Sequence, residues 1–291
     1  MLASLIRHTA YPLVLGGSAA AILLFVERAA IPCPGMAAVT LIGIAAVALL
    51  ERWQPYQRDW LRDHTDGLTD AIHLVVNLGL LWATASLLHV LRDTLPALAL
   101  WPARWPIWSQ VLLAGLIVDA GLYAMHRLSH RVEWLWRLHA PHHSAERLYW
   151  MNGERRHPLS AVCLAGPGIA IAVALGAPPL AISAWLSLLA VHLAFQHANL
   201  DYTVGPLRHV LGVAEIHRWH HKREYENAQV NFGEFWMLWD KLFGSFHDRP
   251  NGIAAGEVGL RDRSFPRDYA GQLLWPFRPR SGLREGEPAD V

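Results

Sequence analysis

Two cysteines, Cys33 and Cys163, are all the thiol this 291-residue chain carries, and they stand in or beside apolar segments without metal-type spacing. That excludes a disulfide framework and a zinc ribbon as organising features. Charge of either sign is also in short supply: 25 basic against 24 acidic residues leave a net +1, so no nucleic-acid partner is indicated. The period-two alternation of a half-buried sheet is missing, as is any internal repeat, and the fold class is therefore all-α. Missing too are an HExxH sequence, which argues against a zinc protease, and the HPGG segment of a fused haem domain.

What the chain has is apolar length. Hydrophobic residues make up 53% of it and its mean hydropathy is +0.19, so part of it sits in lipid. Apolar runs cover Pro12 to Val26, Met36 to Leu50, Ala71 to Val90, Ile107 to Met125, Leu159 to Leu175 and Leu180 to Gln196. Several are near the roughly 20 residues a helix needs to cross the hydrocarbon, and the shorter ones are borderline. Arg7 ahead of the first run imitates a signal peptide, but no convincing cleavage site follows, and a retained first span is expected. Between the last two runs, Gly176-Ala-Pro-Pro179 stops one helix and starts another, which makes a helical hairpin that returns the chain to the side it left.

Arg52, Arg58 and Arg62 follow the second run, and Arg127, Arg131, Arg137, Arg147, Arg155 and Arg156 follow the fourth. By the positive-inside rule these connections face the cytoplasm. Trp101, Trp105 and Trp108 suit an aromatic belt on the far interface. The expected organisation is a polytopic integral membrane helical bundle of about four spans plus a hairpin, with a cytoplasmic histidine-rich helical cap. Residues 1–125 are transmembrane helices, 126–160 a cytoplasmic segment, 161–198 the membrane hairpin, 199–277 the cytoplasmic cap and 278–291 a flexible tail.

Of the 17 histidines, eight fall in three boxes: His126-Arg-Leu-Ser-His130, His139-Ala-Pro-His142-His143 and His217-Arg-Trp-His220-His221. On a helix, spacings of three and four put imidazoles on neighbouring faces of one turn. Chance would produce one HxxHH about 0.06 times at this histidine frequency, so two copies are a signal. Imidazole suits iron, zinc, copper and nickel alike, and eight ligands exceed what one ion takes, so the count asks for two ions with room for oxygen. The boxes bring no Glu-x-x-His pair of the carboxylate-bridged bundles with them: Glu133 is followed at i+3 by Trp136 and Glu215 by Arg218. The first box ends the fourth span, the second follows within a dozen residues, and the third lies beyond the hairpin, so all three can meet at one membrane face.

HxxxH, HxxHH and HxxHH in that order, on a chain with about this many spans, resemble the fatty acid hydroxylase and sterol desaturase superfamily of membrane-bound histidine-box di-iron oxygenases. The likeness runs from about Glu51 to Phe277. It includes Asp119, Tyr123 and His126-Arg127, Trp136 to Ser144, Arg156-His157-Pro158, Gln196-His197-Ala-Asn199, Asn231-Phe-Gly233 and Trp239-Asp-Lys-Leu-Phe-Gly244. By resemblance the eight box histidines are metal ligands, the metals are two iron ions (Fe2+/Fe3+), and zinc is a substitute in a purified sample. Members of the family take ligands from a fourth stretch as well. Here His192 and His197 are the candidates, with a spacing of five rather than four, and His157 precedes proline as in the sterol-oxidising branch. Ser160 stands where that branch often has Glu, a departure that weakens any carry-over of sterol specificity.

Asp119, seven residues before His126 on the same helical face, is expected to hydrogen-bond a ligand imidazole, with Asp240 and Asn231 in similar supporting roles. Helix capping or an arginine pair is the alternative for the two aspartates. His8, His64, His73, His89, His209 and His247 lack metal-type spacing and are expected at interfaces or on the surface. The resemblance implies O2-dependent hydroxylation or desaturation of a C–H bond in a membrane lipid, whether sterol-like, acyl, isoprenoid or ether. Its electrons would come from an external cytochrome b5-like or ferredoxin-like protein. Read from the residues alone, a non-catalytic membrane metal-binding protein and a metal-dependent lipid hydrolase stay open.

Overall fold

The computed structural model describes residues 2–29, 31–94, 97–249 and 252–279. The tail expected over 278–291 lies, from residue 280 onward, outside the described residues. Among the described residues six helices are long and apolar enough to cross a membrane: α1 (Leu2–Arg28), α2 (Pro32–Trp53), α3 (Gly67–Leu91), α4 (Ile107–Ser129), α6 (Pro158–Leu175) and α7 (Pro179–His197). Between α4 and α6 lies α5 (Glu133–His143), and beyond α7 come α8 (Ala214–His217), α9 (Leu238–Leu242) and α10 (Tyr269–Leu274). Among the described residues there is no named strand, only three isolated bridges. The chain is an all-helical membrane bundle, with the cap carried on short helical pieces and irregular backbone.

Each apolar run reappears as a helix extended at one or both ends, the first by the most. α1 starts ten residues before Pro12, because an interior proline removes one amide donor without stopping the helix. The added turns are held by the chain that follows α7, where Thr203 N donates to Arg7 O at 2.8 Å.

α7 is apolar on every face and is buried along nearly its whole length, the signature of a central helix surrounded by others. α4 crosses α6 at a contact of small residues. A Cβ on Gly121 would stand 2.5 Å from Gly168 Cα, so only glycine permits this approach. Gly176, at φ 95°, takes the left-handed conformation that ends α6, and Pro179 starts α7 within three residues. The hairpin therefore brings His197, at the end of α7, back to the membrane face where α4 ends.

On that face buried ion pairs tie the connections to the spans. Asp70 of α3 accepts from Arg155 Nη1 at 2.6 Å, from Tyr149 Oη at 2.6 Å and from Asn152 Nδ2 at 3.1 Å. Arg155 Nε donates in turn to Pro141 O of α5 at 3.1 Å, which fixes the helix carrying the second box. Toward the opposite face, Trp105 and Trp108 are exposed as a belt requires. Trp101 is not: it is buried, because its indole N–H donates to Gln110 Oε1 at 2.9 Å.

Candidate metal centre

Nine histidines converge where α4, α5, α7 and the turn after α8 meet, none more than 2% exposed. They form two groups. One contains His126, His130, His139, His143 and His220, the other His142, His197, His217 and His221, and within each group one ring nitrogen per residue lies within 4.8 Å of all the others. The sorting follows helical geometry. His139 and His143, four apart, share a face of α5 and enter the first group, whereas His142, about 100° away, enters the second. In the third box His217 and His221 pair the same way and His220 points to the other group.

Several inward nitrogens are Nε2 atoms at short separations. His143 Nε2 is 3.1 Å from both His130 Nε2 and His139 Nε2. His217 Nε2 is 3.2 Å from His197 Nε2 and 3.1 Å from His221 Nε2, and His142 Nε2 is 3.4 Å from His197 Nε2. One imidazole nitrogen has a single in-plane position, holding either a proton or a lone pair, so neither His143 nor His217 can hydrogen-bond two such neighbours. His126 Nε2 and His220 Nε2 are buried with no partner at all. Nitrogens held at right angles about 2.1 Å from a shared ion would be about 3.0 Å apart, so the spacing fits a cation in each group.

The outer nitrogens show how the rings are oriented. Nδ1 of His126 donates to Phe232 O at 2.8 Å, Nδ1 of His220 to Val230 O at 2.9 Å and Nδ1 of His197 to Leu193 O at 3.0 Å. Each carbonyl fixes the tautomer that leaves the Nε2 lone pair facing inward. Neither group contains a carboxylate. Buried Glu234 makes an ion-pair contact to a group member: its Oε1 is 3.6 Å from His126 Nδ1, and its Oε2 receives Arg156 Nη2 at 3.1 Å. Outside the spans, His130, His139, His142, His143, His217, His220 and His221 are pushed well below the ordinary imidazole value, first by burial and then mostly by the neighbouring imidazoles. The neutral form they adopt is the one that binds metal.

Of the fourth-stretch candidates only His197 is brought to the centre. His192 uses both nitrogens elsewhere: Nδ1 accepts from Tyr11 Oη at 2.8 Å, and Nε2 donates to Gly212 O and Glu234 O at 3.1 and 3.0 Å. His157 caps α6, with Nδ1 accepting from Leu159 N and Nε2 donating to Leu273 O, both at 3.1 Å. Glu154 and His157 do stand three apart, but that cap keeps His157 out of both groups.

Asp119 does not hydrogen-bond an imidazole. It accepts from Phe235 N at 2.9 Å, Trp236 N at 3.2 Å and Trp239 Nε1 at 3.0 Å. Asp240 accepts from Phe232 N at 2.9 Å and Gly233 N at 2.7 Å, and Asn231, at φ 54°, donates to Ile216 O and His247 O at 3.0 and 2.8 Å. All three hold residues 231–236, the loop that supplies Phe232 O to His126. Sequence reasoning missed Glu234 and the carbonyls of Val230 and Leu193. Glu234 directly follows Asn231-Phe-Gly233, which was the available signal for it; the carbonyls left none. His73 is buried, its nitrogens meeting Arg156 O at 3.1 Å and Gln272 Oε1 at 2.9 Å.

A family model described as fatty acid hydroxylase matches residues 111–245, a stretch that includes all nine histidines. The chain is 32% identical over 257 residues to an ornithine lipid hydroxylase of Rhizobium tropici, a match covering 85% of this chain and 76% of that protein. It is 30% identical over 166 residues to the alkylglycerol monooxygenases of Danio rerio and Homo sapiens, covering 54% of this chain and 34% of each of those proteins. The chain thus spans about a third of the length of the latter two relatives. No solved structure matches the chain significantly.

Proposed function

This chain belongs to the fatty acid hydroxylase family, and on that premise we propose that it is an oxidoreductase that hydroxylates a membrane lipid with O2 at a pair of iron ions held by the nine clustered histidines. The observation that carries the reading is the orientation of buried, neutral imidazoles: carbonyls grip Nδ1 of His126, His197 and His220 while the opposite nitrogens face one another or have no partner. Bound iron supplies the redox chemistry that sets O2 against an unactivated C–H bond. Hydroxylation converts R–H, O2, two electrons and two protons to R–OH and water, so an external one-electron carrier must deliver the electrons. The names of the relatives favour hydroxylation over desaturation, and ornithine lipid is the first substrate to test.

The chain's own residues hold, orient and desolvate. His126, His130, His139, His143 and His220 would hold one ion, and His142, His197, His217 and His221 the other. Asp119, Asp240 and Asn231 fix the loop whose carbonyl orients His126, and burial of every ring excludes bulk water. We assign residues 1–125 and 161–198 to the membrane, and 126–160 and 199–277 to a cap that the arginine-rich connections put on the cytoplasmic side.

The test is comparative lipid mass spectrometry of cells expressing the chain or its His143→Ala variant, in air and without O2. The reading expects lipids heavier by one oxygen only with the intact chain in air. Lipid turnover that persists without O2 would replace it with a hydrolase.

A further inference from the structure

Beside the two histidine groups, α3, α4, α6 and α7 line an open cavity of about 200 Å³. Its wall along α6 runs from Ala161 to Ile169, a length of about 12 Å, and is apolar. Leu122 and Leu193 close its inner side. Each stands one helical turn before a clustered histidine, His126 and His197 respectively, so the inner side lies next to the centre. Among its lining residues Val162 of α6 is 53% exposed, which puts the opening on the α6 side next to α3.

One end of the cavity is polar, lined by Asn77, Glu154 and Arg156. Asn77 Nδ2 donates to Glu154 O and Arg156 O at 2.8 and 2.9 Å, but Asn77 Oδ1 is buried with no partner. The Glu154 carboxyl makes no hydrogen bond to another described residue, and Arg156 is already engaged by Glu234 and by Gly153 O. Burial, opposed by Arg156 and reinforced by Glu234, raises the Glu154 carboxyl above its ordinary value. A buried acceptor without a donor costs about 1–3 kcal/mol. This end therefore offers two acceptors to which no described residue donates, at the level of the bilayer where the histidines sit.

We infer that this cavity binds one lipid by its alkyl chain, entered between α3 and α6, with an N–H donor at the lipid's polar end received by Asn77 Oδ1 and the Glu154 carboxyl. The proposal rests on the lipid-oxygenase reading and deepens it by naming the substrate's seat and the chemistry of its polar end. An amphiphile so placed keeps its tail in hydrocarbon and its polar end at the interface, at no cost in burying polar groups. Glu154 and Asn77 are then specificity-determining residues, and neither belongs to the histidine groups.

The experiment uses the full chain in lipid nanodiscs and two photoactivatable probes of equal chain length, a diazirine-bearing fatty amide with an N–H and its ester analogue without one. The amide is expected to label peptides containing residues 77–84 and 161–169, and to outcompete the ester about tenfold, the worth of one buried hydrogen bond. Glu154→Leu is expected to abolish that preference while both probes still label. A Cβ on Gly166 meets nothing within 4 Å and points into free space, so Gly166→Phe fills the cavity and is expected to remove labelling. Gly17→Phe, on an exposed face of α1, keeps it. Iron per chain is measured in every variant. Two irons with the label elsewhere, or with amide and ester bound alike, would overturn the cavity assignment alone. Labelling as expected without iron would instead remove the oxygenase reading and leave the lipid site standing.

Discussion

Arg156 Nη2 lies 3.1 Å from Glu234 Oε2, and Glu234 Oε1 lies 3.6 Å from His126 Nδ1, so a buried ion pair backs directly onto the histidine centre. Removing one partner of such a pair strands the other's charge, which typically costs about 3–5 kcal/mol. Arg156→Met is expected to lower the melting temperature sharply, and Arg156→Met with Glu234→Gln to recover much of the loss. Thermal melts of the two variants check this, and a double variant no better than the single would contradict it.

Asp119 controls the centre at one remove. Its carboxylate holds two amides and an indole of residues 235–239, three residues beyond the Phe232 carbonyl that orients His126. Loss of such outer support typically costs roughly 10–100-fold in metal affinity. Asp119→Ala is expected to lower iron affinity on that scale, with Asp119→Asn retaining more because it still presents one acceptor oxygen. Competition with a chelator measures both, and an unchanged affinity in Asp119→Ala would refute the role.

His143 and His192 separate ligand from scaffold. His143→Ala is expected to reduce iron to about one per chain or fewer, because its Nε2 lies between two other ring nitrogens. His192→Gln is expected to keep full iron and lose about 1–2 kcal/mol of stability, since its partners are a tyrosine hydroxyl and two carbonyls. Elemental analysis decides, and a comparable iron loss in His192→Gln would restore that residue as a ligand candidate.

The eight box histidines were legible because spacings of three and four state which side chains share a helix face, and a hairpin fixed the side to which the third box returns. The choice between His192 and His197 was not. They lie about 140° apart around α7, and only the packing of the 212–234 segment shows which face meets the centre. Asp119 was placed on the correct face, yet two turns, about 10 Å of helix, separate it from His126, too far for a carboxylate to reach the ring. The carbonyls that orient the imidazoles belong to backbone that any sequence carries. The cavity depends on four helices at once, so no local pattern encodes it.

Acid should destabilise the metal-free protein in a defined direction. His130, His139, His142, His143, His217, His220 and His221 have folded values well below the roughly 6.5 of the unfolded chain, so the folded state binds fewer protons. Their contribution to stability is intact above about pH 6.5 and is lost as pH falls from there toward the depressed values. Iron binds the neutral rings, and the folded state keeps them neutral until pH nears the depressed values, so the melting temperature gained on iron addition should persist through the upper part of that window. Melts at about pH 7.5 and about pH 5.5, with and without iron, test the sign. A metal-free melting temperature that does not fall on acidification would contradict it.

The central claim, two ions held by imidazoles without carboxylate ligands, is tested most directly by iron X-ray absorption on the purified chain together with total iron per chain. Two irons per chain, each with a nitrogen shell and the outer-shell scattering of several imidazole rings, is the predicted result. A single iron, or a shell dominated by carboxylate oxygen, would contradict it.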